Sequence, residues 1–202
     1  MTTGDSLADT FRALVTLLEK RKAPYLVIGG MAQAVIREPR LTQDLDCIVS
    51  VPTPRFTDLL EDLCEAGFDV DRQAALKHME STGTFSAQRG RWRVDVITAS
   101  TEFEESALEF EESAFRRAQR IRLYGVEANF PTPEDLILLK LVPGRDKDML
   151  DVKTVIHRHR DRLDRSYLEQ WARRLSDEAE DARMWHALQQ IFKEADSLGT
   201  QR

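Results

Sequence analysis

Hydrophobic residues near the start of the chain recur every three or four positions, as they do on one face of an α-helix. The segment SLADTFRALVTLLEKRK carries this pattern, with Asp5 or Ser6 as its N-cap, and Pro24 ends it. PRFTDLLEDLCEAG repeats the same period and places Cys64 on its apolar stripe. We therefore expect two amphipathic helices, with Cys64 as a small hydrophobic residue of the core.

Short apolar runs between these helices predict buried strands. YLVIGG ends in two glycines and predicts a strand that enters a tight turn, with a helix in MAQAVIRE directly after it. LDCIVSV and RWRVDVIT are rich in β-branched residues and predict two more strands. Weaker patterns favour a helix in DRQAALKHME, a strand in TFSAQ and a strand–turn–strand in RIRLYGVEANF. The glutamate-rich residues 102–112 predict a solvated helix rather than a site.

Helical patterns dominate from Pro133 to the end of the chain. They cover PEDLILLKLV, DKDMLDVKTVIHRHR, RSYLEQWARRL and DARMWHALQQIFKEA, with a break at PGRD between the first two. Internal repeats and low-complexity linkers are absent from the sequence. We expect a mixed α/β core in residues 1–130, followed by a helical region in residues 131–202.

Composition narrows the class of protein. Hydrophobic residues make up 42% and charged residues 32% of the 202 residues, which is typical of a globular protein. The sequence predicts no membrane span and no secretory signal, and its two cysteines suit a reducing cytoplasm. A net charge of −6 argues against a surface devoted entirely to nucleic acid. Residues 140–174, with ten Lys/Arg against six Asp/Glu, still allow a local basic face.

Three aspartates carry the strongest chemical signal. Because side chains alternate along a strand, Asp44 and Asp46 point to one face while Leu45 and Cys47 point to the other. Asp95 lies in the otherwise apolar strand RWRVDVIT. If the two strands are neighbours, three carboxylates converge, and hard divalent ions such as Mg²⁺ suit such a cluster.

The glycines and several cationic or hydroxyl side chains fit a phosphate beside that metal. A strand that ends in Gly29-Gly30 and leads into a helix brings backbone N–H groups and the helix dipole close to a phosphate. Two metals at the aspartates would then serve an in-line displacement of pyrophosphate. The remaining phosphate charge has these candidate partners: Arg37, Arg40, Thr42 and Lys140.

Each of these features also has a purely structural interpretation. Two glycines after a strand often form only a turn, and Asp95 can pair with Arg93 on its own face. In GRDKDMLD, Asp146 can cap a helix, and Lys147 and Asp151 have the spacing of an ordinary surface pair. We weigh that interpretation equally with one in which Lys147 and Asp148 belong to the site.

The joint pattern GG-x-A-x₇-R-x-T-x-D-x-D, with Asp95 beyond it, resembles the nucleotidyltransferase superfamily with a polymerase-β-like palm. PTPEDLILLKLVPGRDKDMLDV resembles the helical region of the AbiEii-type and related nucleotidyltransferase-like proteins. The resemblance implies an α+β fold, a mixed sheet with helices, followed by a C-terminal helical region. Where many members have Gly-Ser, this chain has Gly29-Gly30 and so lacks the phosphate-binding hydroxyl.

The resemblance also implies site roles. Asp44 and Asp46 would hold two Mg²⁺ ions, or Mn²⁺ in their place, with Asp95 as the third carboxylate. Asp95 would also help to deprotonate or orient the acceptor. The implied nucleotide-binding residues are Gly29, Gly30, Arg40, Thr42 and Lys140, with Lys147 and Asp148 as secondary candidates.

The implied reaction is transfer of a nucleoside monophosphate from an NTP to a hydroxyl acceptor. The AbiEii-like branch implies tRNA or another RNA as acceptor and a toxin role with an antitoxin partner. Small molecules and protein side chains are alternative acceptors. A nucleotide- or partner-binding module without catalysis is the competing function, and arginine-paired aspartates with no metal are the competing structure.

Overall fold

The computed structural model describes residues 5–36, 44–98 and 105–199. The strands in these ranges are β1 (Tyr25–Ile28), β2 (Asp44–Val49), β3 (Thr84–Arg89), β4 (Trp92–Thr98), β5 (Gln119–Leu123) and β6 (Val126–Phe130). The α-helices are α1 (Leu7–Arg21), α2 (Gly29–Ile36), α3 (Phe56–Glu65), α4 (Arg72–Thr82), α5 (Glu105–Arg117), α6 (Pro133–Leu141), α7 (Asp146–His159), α8 (Arg165–Glu178) and α9 (Arg183–Gly199).

Local capping explains where several helices begin. Ser6 caps α1 in a capping box with Asp9, which satisfies two backbone donors of the first turn. Thr132 caps α6 directly before Pro133, whose fixed φ suits the first helical position. Asp71 and Asp164 accept N-terminal N–H groups of α4 and α8 in the same way.

The main sheet has four strands in the order β1-β2-β4-β3. β2 pairs antiparallel with β1 and parallel with β4, and β3 pairs antiparallel with β4. β5 and β6 form a separate hairpin, whose turn has positive φ at Tyr124 and Gly125. The parallel pairing of β2 and β4 is the contact that brings the predicted carboxylates together.

The two faces of the main sheet differ in polarity. Leu45, Cys47, Val94 and Val96 are buried on one face, within one hydrophobic core that includes residues of α1 and α3. The opposite face carries Asp44 and the residues Asp46, Ile48, Asp95 and Ile97, which line a cavity beneath the C-terminal helices. Strand alternation therefore separates the core from the candidate site.

The C-terminal helices cover that cavity. Leu136, Ile137 and Leu138 of α6 are fully buried against α7 and α8. Asp135, with no exposed surface, accepts hydrogen bonds from Thr132 and Tyr167 and forms an ion pair with Arg117 of α5. This buried network joins α5, α6 and α8. It therefore fixes α5, the helix that follows the main sheet, to the C-terminal helices.

The α+β fold and the expected elements are confirmed, including the weaker patterns in β3, α4, β5 and β6. Two details differ. α2 begins at the glycines themselves, and Cys64 is only half-buried, outside the hydrophobic core. Boundaries at residues 1–130 and 131–202 stay a prediction, although one core draws on both regions. Within 5–36, 44–98 and 105–199, no helix combines the length and apolar character needed to cross a membrane.

Candidate active site

Asp46 and Asp95 occupy paired positions on adjacent parallel strands. The register aligns Asp46 of β2 with Asp95 of β4, and Asp44 with Arg93. Strands pair about 4.8 Å apart, so the two carboxylates project side by side from one face. Asp44 lies two residues earlier on that same face, at the start of β2. The pairing of these two strands, on which the expected convergence depended, is confirmed.

Gly29 lies directly against the Asp46 carboxylate. Ile28 is the antiparallel partner of Asp46, so the next residue of the chain turns over that side chain. Gly29 has φ +58°, and a Cβ at this position would lie 1.9 Å from Oδ2 of Asp46. Only glycine satisfies both the left-handed backbone and the close approach. Gly30, in the first turn of α2, lines the same cavity.

The negative charge on Asp46 is only partly compensated. Burial, followed by repulsion from Asp95 and Asp44, raises the pKa of the Asp46 carboxyl, and Lys140 and Lys147 oppose this shift. A carboxylate held beside others in a partly dry site attracts a cation. This part of the site therefore fits a divalent ion.

Asp95 is engaged differently. Its Oδ1 accepts hydrogen bonds from Ser86 Oγ at 2.6 Å and from Arg93 Nε at 2.7 Å. The arginine pairing considered as a structural alternative is thus present for Asp95. Arg93 is 63% exposed, so its side chain can leave without disturbing the core.

The three aspartates have the right chemistry for a divalent ion, but their side chains are not yet arranged around one position. Three carboxylates on one sheet face are the oxygen ligands that Mg²⁺ prefers. Among residues 5–36, 44–98 and 105–199, however, no group of three His, Cys, Asp or Glu side chains is already arranged to hold a metal. Arg93 and Ser86 both bind Oδ1 of Asp95, so a metal ion that takes this oxygen competes with them.

Lys140 is held by a buried acidic cluster. Its Nζ lies 3.0 Å from Asp148 Oδ1 and 2.9 Å from Asp151 Oδ2. Gln33 Nε2 donates to Asp151 Oδ2 at 2.6 Å, and Arg145 Nε donates to Asp148 Oδ2 at 2.5 Å. Burial opposes ionisation of Asp148, yet these hydrogen bonds keep its pKa below the ordinary value. The interpretation of Asp151 as a surface residue is wrong, since it is 4% exposed.

The predicted nucleotide-binding residues divide into three groups. Gly29, Gly30, Lys140 and Lys147 line one cavity with the aspartates, and Lys147 is exposed to solvent there. Asp148 also lines it, but its carboxylate is occupied by Lys140 and Arg145. Three of the candidate arginine and threonine positions lie outside the described residues: Arg37, Arg40 and Thr42.

The cavity encloses about 970 Å³ between the sheet and the C-terminal helices, enough for a nucleotide. The sequence reasoning missed several of its polar residues. Gln33 carried no pattern signal, Arg145 stood in the GRDKDMLD segment but was not assigned to the site, and Glu111 stood within the segment interpreted as a solvated helix. That interpretation is wrong at Glu111, which lines the cavity, and at Phe110, which is buried.

The candidate site combines a carboxylate-bearing sheet face, a glycine turn against it and lysines that line the same cavity. The chain belongs to the family described as nucleotidyltransferase of unknown function (DUF6036), which matches residues 5–197. No curated protein matches the chain in sequence.

Several solved structures are similar to this chain over most of its length. ANT(2")-Ia in complex with adenylyl-2"-tobramycin is similar with a TM-score of 0.50 and 14% identity, over 81% of this chain and 93% of that one. LnuA, a lincosamide antibiotic adenylyltransferase with lincomycin bound, has a TM-score of 0.49 and 13% identity, over 76% and 98%. JHP933 from Helicobacter pylori has a TM-score of 0.47 and 14% identity, over 98% and 97%. At such identities the likeness concerns the fold alone.

Proposed function

We propose that this protein transfers a nucleoside monophosphate from an NTP to a hydroxyl acceptor and releases pyrophosphate. The observation that carries the proposal is the packing of Gly29 over Asp46, beside Asp95. A turn with only a structural role would not need a glycine packed against the Asp46 carboxylate. The charge of that carboxylate is already disfavoured by its neighbours Asp95 and Asp44. A metal–triphosphate complex would compensate that charge.

Asp44 and Asp46 are the residues that would hold Mg²⁺, with Asp95 joining them once Arg93 moves away. Bound Mg²⁺ supplies charge stabilisation for the displaced pyrophosphate and orients the α-phosphate. Gly29, Gly30 and the N-terminus of α2 offer backbone N–H groups to the phosphates.

The lysines divide the remaining work. Lys147 is exposed at the cavity and makes no ion pair with any residue in the described ranges, so its ammonium is available to the triphosphate. Lys140 is held by Asp148 and Asp151 and adds positive potential near Asp46. We assign phosphate contact to Lys147 and a positioning role to Lys140.

The acceptor belongs to one of two chemical classes. The ANT(2")-Ia structure holds adenylyl-2"-tobramycin, an adenylylated small molecule. A small polyhydroxylated molecule, and an RNA as the AbiEii-like resemblance implies, are therefore both acceptors to test. An antitoxin partner stays a prediction from that resemblance.

The test is incubation of the chain with each labelled NTP, Mg²⁺ and either total RNA or a panel of small hydroxyl compounds that includes tobramycin. We expect label transfer in one acceptor arm, and none with the Asp44→Ala/Asp46→Ala variant. Asp58→Asn, which changes an exposed carboxylate on α3, serves as the matched control. If no label moves and neither NTP nor Mg²⁺ raises the Tm, the proposal is wrong.

A non-catalytic nucleotide-binding module is the second candidate, and the Arg93–Asp95 ion pair favours it. That pair removes one carboxylate from the metal position. This candidate expects an NTP to raise the Tm without label transfer to any acceptor. Transfer that depends on Asp46 would exclude it.

A further inference from the structure

Glu111 lies on a helix that the tail holds firmly in place. On α5, the neighbouring Phe110 is 3% exposed and packs against Trp171 of α8, with ring centroids 5.6 Å apart. Ser113 hydrogen-bonds with Tyr167 at 3.2 Å. These contacts hold the backbone of α5 in a fixed position relative to the cavity.

Glu111 differs from the glutamates beside it. Glu109 forms an ion pair with Arg174, and Glu112 forms one with Arg116. Glu111 makes no hydrogen bond or ion pair with any residue that the structure describes. It is nevertheless mostly buried, and it lines the same cavity as Gly29, Asp46 and Asp95.

An unpartnered carboxyl in that position costs stability, because burial disfavours its charged form. Burial alone raises the pKa of Glu111 to about 7. A carboxyl with that pKa exchanges its proton near neutral pH, where a general base is most effective.

The two sides of the cavity have different chemistry. The sheet and α7 contribute Asp44, Asp46 and Lys147, which suit a metal and a triphosphate. The side formed by α5, α8 and α9 is largely apolar around Glu111, with Phe110, Leu175 and Met184. Asp181, between α8 and α9, also lines this side, but it is paired with Arg183. Apolar surface with one unpaired ionisable group suits the reacting end of an acceptor better than a polyphosphate.

We infer that Glu111 is the catalytic residue that takes the proton from the acceptor hydroxyl. This inference rests on the proposed nucleotidyl transfer. As the Glu111 carboxylate accepts the proton, the acceptor oxygen forms a bond to the α-phosphorus of the NTP. The bond from that phosphorus to the β-phosphate bridging oxygen breaks, its electron pair leaves with pyrophosphate, and protonated Glu111 returns its proton to solvent.

Asp95 is less suited to that proton transfer. Its Oδ1 already accepts hydrogen bonds from Arg93 and Ser86, so this oxygen has to exchange partners before it can take a proton from an acceptor. Its place beside Asp46 suits the metal. A separate base across the cavity leaves the three aspartates to that task.

Other ionisable groups around Glu111 bear on any pH profile. Arg174 and Tyr167 of α8 pack against α5, but Arg174 is paired with Glu109, and Tyr167 donates to Asp135. Charged groups that line the same cavity are Asp44, Asp46, Asp95, Lys140, Arg145, Lys147, Asp148, Asp151 and Asp181. A Glu111 substitution separates its titration from theirs.

The experiment compares Glu111→Gln with Glu112→Gln, the adjacent exposed glutamate on the same helix, in the full-length chain. The substrate pair is the labelled NTP and acceptor with which the wild-type chain transfers label. We expect kcat of Glu111→Gln to fall about 10²- to 10⁴-fold, with KM for the NTP unchanged. The wild-type rise of kcat with pH near 7 should be absent in this variant, and Glu111→Asp should restore part of the rate.

Retention of the wild-type rate and pH profile by Glu111→Gln would overturn the inference while leaving the proposed function intact. A rise in KM for the NTP equal to the loss of kcat would also overturn it, because Glu111 would then act in nucleotide binding. Circular dichroism and the Tm establish that each variant is folded. If the wild-type chain transfers no label to any acceptor, the proposed function and this inference are both wrong.

Discussion

Two pairs of buried or half-buried aspartates lie within one cavity and differ in how their charge is balanced. Asp148 and Asp151 on α7 surround Lys140, and the pKa of Asp148 falls below its ordinary value despite burial. Asp46 and Asp95 adjoin on the sheet, and the pKa of Asp46 rises through burial and repulsion. The first pair is a completed ion cluster, whereas in the second pair Asp95 is bound by Arg93 and the charge of Asp46 is only partly compensated. Two buried or half-buried acidic pairs in one cavity therefore differ in their local charge balance.

The largest expected effect comes from changing the glycine above the sheet pair. Gly29→Ala places a Cβ 1.9 Å from Asp46 Oδ2 and forces alanine into a left-handed backbone, so Asp46 must move. We expect label transfer to fall by about a hundredfold or more. Gly125→Ala is the matched control, since it has φ +86° but nothing within 4 Å of its Cβ. Equal losses in both variants would show that backbone strain, and not displacement of Asp46, is responsible.

Removing the cation from the completed cluster should cost the most stability. Lys140→Met leaves Asp148 and Asp151 buried without their shared partner, and we expect the free energy of unfolding to fall by about 3–5 kcal/mol. Thermal unfolding should show a Tm lower by roughly 10 °C. Arg145→Gln leaves Lys140 in place between Asp148 and Asp151, and should therefore cost less than Lys140→Met. A Lys140→Met protein as stable as the wild type would mean that this cluster is not a structural ion pair.

Glu111 provides a third arrangement, a carboxyl with no partner of either kind among the described residues. Its pKa is raised from 4.5 to about 7, so the folded state is favoured below pH 4.5 and loses that advantage as the pH rises to 7. Glu111→Gln should therefore be more stable than the wild type at pH 8, by on the order of 2 kcal/mol after allowing for partial exposure. Denaturant unfolding at pH 4 and pH 8 measures this difference. A gain that is the same at both pH values would contradict the raised pKa.

Asp46→Asn should change the stability of the protein in the opposite direction to Lys140→Met. Because the pKa of Asp46 is raised in the folded protein, its ionised form destabilises the fold as the pH increases above the ordinary aspartate range. Without divalent ions, we expect a small rise in Tm for Asp46→Asn at pH 7, and no further rise on addition of Mg²⁺. A loss of stability would show that the charge of Asp46 is compensated within the protein, like that of Asp148, and would contradict the difference between the two pairs.

The smallest expected effect concerns the ion pair between Arg93 and Asp95. Arg93→Gln removes an exposed partner and should change the free energy of unfolding by less than about 1 kcal/mol. The Mg²⁺ concentration for half-maximal transfer should fall, because Asp95 no longer has to leave Arg93. An unchanged Mg²⁺ dependence would show that Asp95 does not contribute to the metal.

Local pattern predicted most of the fold, because each prediction depended on residues close in sequence. Strand alternation placed Asp44 and Asp46 on one face, and helical periodicity located the helices from Pro133 onward. Pattern failed in the glutamate-rich segment, where composition indicated solvent exposure. Glu111 lines the cavity in a fold in which α5 packs against α8, through a contact between Phe110 and Trp171 about sixty positions apart in the chain.

The sequence by itself determined which residues could hold a metal and a triphosphate, since Gly29, Asp46 and Asp95 were identifiable from type and spacing. Only the tertiary structure decided their charge states and partners. Whether a carboxylate meets Lys140, another carboxylate or apolar surface depends on strand pairing and helix packing. The strength of an electrostatic interaction depends on the distance between the charged groups in space. That distance cannot be read from the separation of the residues along the chain.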